Sequence, residues 1–130
     1  MSDMFWNCIS LISLNLSNFD ISNVSNFGHL LYNCESLEFI VFSQVKTDKI
    51  TLLDNMFNGC KNLISVNLSN FYTTNLEKIQ YMFSGCESLK FLDFANLDIT
   101  NVNEENSNNV FLNCKNLEYI ESYDIMLLIE

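Results

Sequence analysis

The sequence predicts an α/β solenoid built from units of about 26 residues, each with a short parallel β-strand and a short helical segment. Three observations carry that reading. The five cysteines Cys8, Cys34, Cys60, Cys86 and Cys114 fall at intervals of 26, 26, 26 and 28 residues. Apolar columns keep the same register around them. The chain is 48% hydrophobic and 17% charged, so it can bury a core, although one unit alone cannot bury its own apolar face.

The strand comes first after each Cys. Leu11, Leu37, Leu63, Leu89 and Leu117 stand three residues on. Leu14, Ile40, Val66, Leu92 and Ile120 stand three further, and Leu16, Phe42, Leu68, Phe94 and the exception Ser122 two beyond those. That L-x-x-L-x-L piece has the period of two that marks a strand. Stacked at about 4.8 Å, five such strands make one parallel sheet roughly 24 Å long. Another apolar column follows at Phe19, Val45, Phe71, Leu97 and Ile125, then a polar turn (SNFDISN, SNFYTTN, ANLDITN). With no Pro and 3 Gly, the turns rely on Asn, Asp, Ser and Thr. The next column is Val24, Ile50, Leu76 and Val102. In LEKIQYMFSGC the apolar residues Leu76, Ile79, Met82 and Phe83 recur at three or four, which fits a short helix. Phe5, Leu31, Phe57, Phe83 and Phe111 close each unit before its Cys.

The expected organisation is a single repeat domain over residues 1–130, with units at 8–33, 34–59, 60–85 and 86–113 and a partial unit at 114–130. The two extra residues of the last interval are placed in the polar stretch Asn101–Asn109. The first residues enter partway through a unit and no polar cap is evident, so the segment reads as a fragment of a longer array stacking on further repeats. The tail IMLLI could cover the last strand. The N-terminus lacks the pattern of a secretory signal, and no apolar run approaches the roughly 18 residues that a membrane span needs.

Composition narrows function. The chain carries 16 acidic and 6 basic residues, a net charge of -10, so phosphate-rich partners such as nucleic acid are excluded. One histidine, His29, leaves no His-pair metal site and little room for nucleophile–histidine catalysis. Repetition also spreads each residue type along a column, whereas catalysis needs unlike residues converging at one place. No cofactor is expected, and the chain is read as no enzyme.

The stretches MFNGCKNLISVNLSNF and MFSGCESLKFLDFANLDITNV resemble the BspA-type leucine-rich repeat, in its M-F-x-x-C-x-x-L-x-x-L-x-L-S-x-F variant. The resemblance covers roughly residues 4–122. It implies a right-handed solenoid and a non-enzymatic adhesion or interaction role, often at the cell surface. The second repeat (VFSQVKTDKI) and the last (IESYDIMLLIE) depart from the pattern.

Packed helical segments would hold successive cysteines about 8–10 Å apart, too far for a disulfide. The ladder Cys8, Cys34, Cys60, Cys86, Cys114 is therefore read as reduced, buried thiols acting as small apolar side chains, with Cys8 at the open edge the most reactive. The next positions, Ile9, Glu35, Lys61, Glu87 and Lys115, alternate in sign, so Glu35, Lys61, Glu87 and Lys115 could form an inter-repeat ion-pair ladder. His29 shares a variable outer column with Asn55, Tyr81 and Asn109 and reads as a surface residue. The insertion with Asn101, Asn103, Glu104 and Glu105 near Asp98 is rich in oxygen but lacks the glycine of a calcium loop, so it reads as a solvated, mobile loop. Asn15, Asn23 and Asn67 are N-x-S/T sequons, with asparagine ladders the simpler account of Asn15 and Asn67.

The outward strand positions form the candidate binding face. One column reads Ser13, Phe39, Ser65, Phe91, Tyr119; the other reads Asn15, Val41, Asn67, Asp93, Glu121. Clustered exposed aromatics mark interaction surfaces. The resulting expectation is a leucine-rich-repeat interaction module of a cell-surface or adhesion protein. It would bind a protein or glycan through Phe39, Val41, Phe91, Asp93, Tyr119 and Glu121, without inserting into a membrane. The alternatives are a structural spacer with no ligand, or an intracellular protein–protein scaffold.

Overall fold

The computed structural model describes residues 1–44 and 47–122. It is a stack of repeats joined by short parallel strands: β1 (Ser13–Asn15), β2 (Phe39–Val41), β3 (Ser65–Asn67), β4 (Phe91–Asp93) and β5 (Tyr119–Glu121). All ladders are parallel and in the register that the period dictates, Leu14 opposite Ile40 and Val66 opposite Leu92 opposite Ile120. Each strand points its middle residue inward and its two flanking residues outward or partly so, as an alternating half-buried strand must.

The strands make two sheets, β1-β2 and β3-β4-β5, instead of the single five-stranded sheet expected. The reason lies in the turn after each strand. Asn15, Asn67 and Asp93 each turn a side-chain oxygen back to accept the amide two residues on, at Ser17 (2.9 Å), Ser69 (2.8 Å) and Ala95 (3.2 Å). The next amide then continues the ladder: Leu16 N–H donates to the Val41 carbonyl, Leu68 to Asp93 and Phe94 to Glu121. In the second repeat Val41 has no oxygen to close that turn. Among the described residues Phe42 makes no such bond to Asn67, and the ladder parts there. Before the strands the repeats stay joined, with Ile64 N–H donating to the Glu38 carbonyl at 3.2 Å.

The helical segments are corrected outright, since the described residues contain no α-helix. The run before each Cys is a spiral of turns. In the run leading into Cys34, Leu30, Tyr32 and Cys34 each donate to the carbonyl three residues back, at 3.1 Å. The alternate amides Phe27, His29, Leu31 and Asn33 donate instead to Leu52, Asp54, Met56 and Asn58 of the next repeat, at 2.7–3.0 Å. Two left-handed residues per repeat make this possible. One column is Asp3, His29, Asn55, Tyr81 and Asn109, with φ of 55–57°; the other is Asn7, Asn33, Gly59, Gly85 and Asn113, with φ of 56–79°. A left-handed residue ends any α-helix and swings the amides toward the neighbour. The spiral still advances about three residues per turn, so its apolar spacing imitates a helix.

The core follows the columns. Leu37, Leu63 and Leu89 are fully buried, as are Leu16, Leu31, Phe57, Phe71 and the central cysteines. The rings of Phe57, Phe83 and Phe111 stack nearly parallel, with centroids 5.2 and 5.9 Å apart. Phe19 breaks its column: it is 49% exposed, at the end of the stack where no neighbour covers it. Val45 and Ile125 of that column, and the tail IMLLI, lie outside the described residues. A buried column that the periodicity hid in the polar turn is Ile21, Thr47, Thr73 and Ile99.

The insertion is a 3-10 turn, Glu104–Ser107, capped by the Asn103 side chain accepting the Asn106 amide. Leu53 and Ile79 show where the extra residues enter: Leu53 N–H bonds Lys78, but Ile79 N–H bonds Asn106, two positions later than the period requires.

Candidate functional site

The outward strand positions line up across each sheet. Ser13 lies opposite Phe39 and Asn15 opposite Val41 in one; Ser65, Phe91 and Tyr119 run side by side in the other, as do Asn67, Asp93 and Glu121. Phe39, Val41 and Phe91 are each about half exposed, 48–49%, and Tyr119 is 56% exposed. Between β3 and β5 the face sinks into an open hollow of about 230 Å³ lined by Ser65, Asn67, Phe91, Asp93 and Tyr119 over Val66 and Leu92. A second cleft of about 210 Å³ lies where the two sheets part, among Val41, Phe42, Gln44, Asn67 and Asn70. Phe39 and Val41 therefore stand on one sheet, and Phe91, Asp93, Tyr119 and Glu121 on the other.

The cysteines are free, and Cys34, Cys60 and Cys86 are buried while Cys8 and Cys114 are half-buried. Backbone hydrogen bonds between successive spirals draw the repeats to ladder spacing, about 4.8 Å, so packed-helix distances do not apply. Four of the five thiols donate to a carbonyl of the preceding spiral: Cys34 to Phe5 (3.0 Å), Cys60 to Leu31 (3.2 Å), Cys86 to Phe57 (3.1 Å) and Cys114 to Phe83 (3.0 Å). Burial pushes the Cys34 and Cys114 thiols up to about 11, and those of Cys60 and Cys86 higher still.

The alternating charges come together as two separate pairs. Lys61 reaches Glu35 at 3.0 Å and Lys115 reaches Glu87 at 2.7 Å. The hydrogen bond from Lys115 holds the Glu87 carboxyl below its usual range. His29 stacks on Trp6, ring centroids 5.6 Å apart at 13°, with Tyr32 against both, and its Nδ1 lies 4.0 Å from an Asp54 carboxylate oxygen. Trp6 and Tyr32 share a column 26 residues apart, but its later members Asn58, Ser84 and Leu112 are not aromatic and His29 lies in another column, so the periodicity does not show this cluster.

Asn15 and Asn67 do not form asparagine ladders; Val41 and Asp93 stand opposite them, and their side chains close turns. The asparagine contact between repeats lies elsewhere, from Asn33 to Asn7 at 3.1 Å. The Asp98 carboxylate accepts the Thr100 amide (2.9 Å) and hydroxyl (2.6 Å), and the hydroxyl bond lowers its pKa. Among the described residues no group of three His, Cys, Asp or Glu side chains could hold a metal ion. Nor is any helix there long and apolar enough to cross a membrane.

Fold and face together define a repeat protein with short parallel strands, one of which in each repeat shows its outer residues to solvent. The chain belongs to the family described as "Mycoplasma protein of unknown function, DUF285", whose model matches residues 1–124. No curated protein and no solved structure matches it.

Proposed function

We propose that this chain is a leucine-rich-repeat-like solenoid module that binds a protein partner through the outer face of its strands. In this reading the repeats from residue 8 onward form one domain, stack on further repeats, and belong to a surface or adhesion protein of the BspA-type kind. The observation that supports it is the half-exposed Phe39 and Val41 on one sheet and Phe91 and Tyr119 side by side on the other, on the same strands whose inward residues build the core. Exposed rings in a row bury area at small entropic cost when a partner covers them. Binding of this kind needs no chemistry on a substrate, and like residues stacked in columns suit an extended contact better than a catalytic centre.

A photo-crosslinking residue at position 91, and another at Asn75 on an exposed turn, tests the reading in cells that make the full protein. A discrete adduct from position 91, absent from position 75 and lost on adding Phe39→Ala, is the expected result. Equal labelling from both positions, or none from either, would leave the repeats as a spacer with no ligand of their own.

A further inference from the structure

We propose that the hollow between β3 and β5 receives a lysine or arginine side chain from an extended basic segment of the partner protein. The inference rests on the binding face above and names what that face selects. Its first support is the hollow itself, about 230 Å³, walled by Phe91 and Tyr119, which are direct cross-strand partners. A cation over an aromatic face is attracted by the ring quadrupole, and arginine also stacks flat on it.

The second support is the placement of charge. Asp93 and Glu121 are direct cross-strand partners, so the stack brings two carboxylates side by side next to those rings. Like charges directly opposite each other destabilise a sheet. On the turn side the same stacking avoids that cost by alternating sign, giving the Glu35–Lys61 and Glu87–Lys115 pairs. On the strand face no cation of the described residues forms an ion pair with Asp93 or Glu121, and the nearest lysine on β4's approach, Lys90, lies 4.0 Å from Glu118 instead. Asp93 uses Oδ1 for the Ala95 amide, and its other oxygen makes no hydrogen bond among the described residues. A guanidinium or ammonium group from outside would relieve the repulsion and gain charge-assisted hydrogen bonds. A neutral sugar ring could use the aromatics but would leave the paired carboxylates uncompensated. The net charge of -10 draws a basic partner toward the whole surface and accelerates encounter.

The test is a titration of the isotope-labelled full chain, followed by amide NMR, with two short Gly/Ser peptides. One carries a central arginine, the other its neutral isostere citrulline. The arginine peptide is expected to shift the amides of Ser65, Phe91, Asp93 and Tyr119 and to bind about tenfold more tightly than the citrulline peptide, a loss that one desolvated cation contact accounts for. Asp93→Asn and Glu121→Gln should each weaken the arginine peptide and leave the citrulline peptide unchanged. Asp93→Asn is safe for the fold, because Asn15 and Asn67 close the same turn in other repeats. Equal binding of both peptides would overturn the cation preference while leaving the binding face in place. Arginine-dependent shifts elsewhere on the chain, or none at all, would also overturn it. The crosslink at position 91 judges the face independently.

Discussion

Asn15, Asn67 and Asp93 each end a strand and each fold a side-chain oxygen onto the amide two residues on. Val41 occupies the same position in the second repeat and cannot. That single difference of side-chain chemistry parts the ladder between β2 and β3. A parallel contrast concerns Thr47 and Thr73, equivalent and buried. The Thr73 hydroxyl accepts the Asp98 amide at 2.8 Å and lies 3.3 Å from the Asp98 carbonyl, whereas the Thr47 hydroxyl has no partner among the described residues. Valine has threonine's shape without the hydroxyl. Thr73→Val should cost about 1–3 kcal/mol by orphaning the Asp98 amide, while Thr47→Val should be neutral or stabilising. Urea unfolding of the two variants measures both, and equal losses would mean that the two hydroxyls are equivalent after all. The left-handed columns were partly legible, since Asn, Asp and Gly dominate them; His29 and Tyr81 concealed the pattern.

At the level of the element, the spiral before each Cys shows how periodicity can mislead. Apolar residues three and four apart fit an α-helix, but they equally fit successive turns of about three residues. What separates the two is where alternate amides point, and that depends on a neighbour one repeat away. The ring ladder inside these spirals was legible as a column, whereas its stacking was not. Phe83 is fully enclosed between Phe57 and Phe111, and Phe111 is only half-buried at the end of its ladder. Phe83→Ala should cost about 3–5 kcal/mol, as large-to-small changes in a close-packed core do, and Phe111→Ala distinctly less. Denaturant unfolding reads both, and similar losses would show that the ladder has no interior.

Across the whole molecule the thiols run through every repeat. Each buried thiol's pKa is raised when folded, from an ordinary 9.0 to about 11 at Cys34 and Cys114 and further at Cys60 and Cys86. Below the ordinary value both folded and unfolded thiols are protonated, so this contribution is intact. Above it the unfolded chain loses protons that the folded chain keeps, so stability falls as pH rises from about 9 toward about 11. Melting temperature should therefore decline across that window, and less steeply in Cys34→Ala/Cys114→Ala; equal slopes would assign the decline to other groups. The sequence by itself determined the period, the strand register, most of the buried columns and which strand residues face outward. Those follow from local alternation and strict repetition, which need no knowledge of the neighbour. Only the tertiary structure decided that the segment before Cys is a turn spiral, that the sheet parts between β2 and β3, and that the Asp93 carboxylate and the Phe91 and Tyr119 rings line one hollow. Each of these depends on backbone groups and side chains from different repeats meeting across the stack, and that meeting is made only when the chain closes on itself.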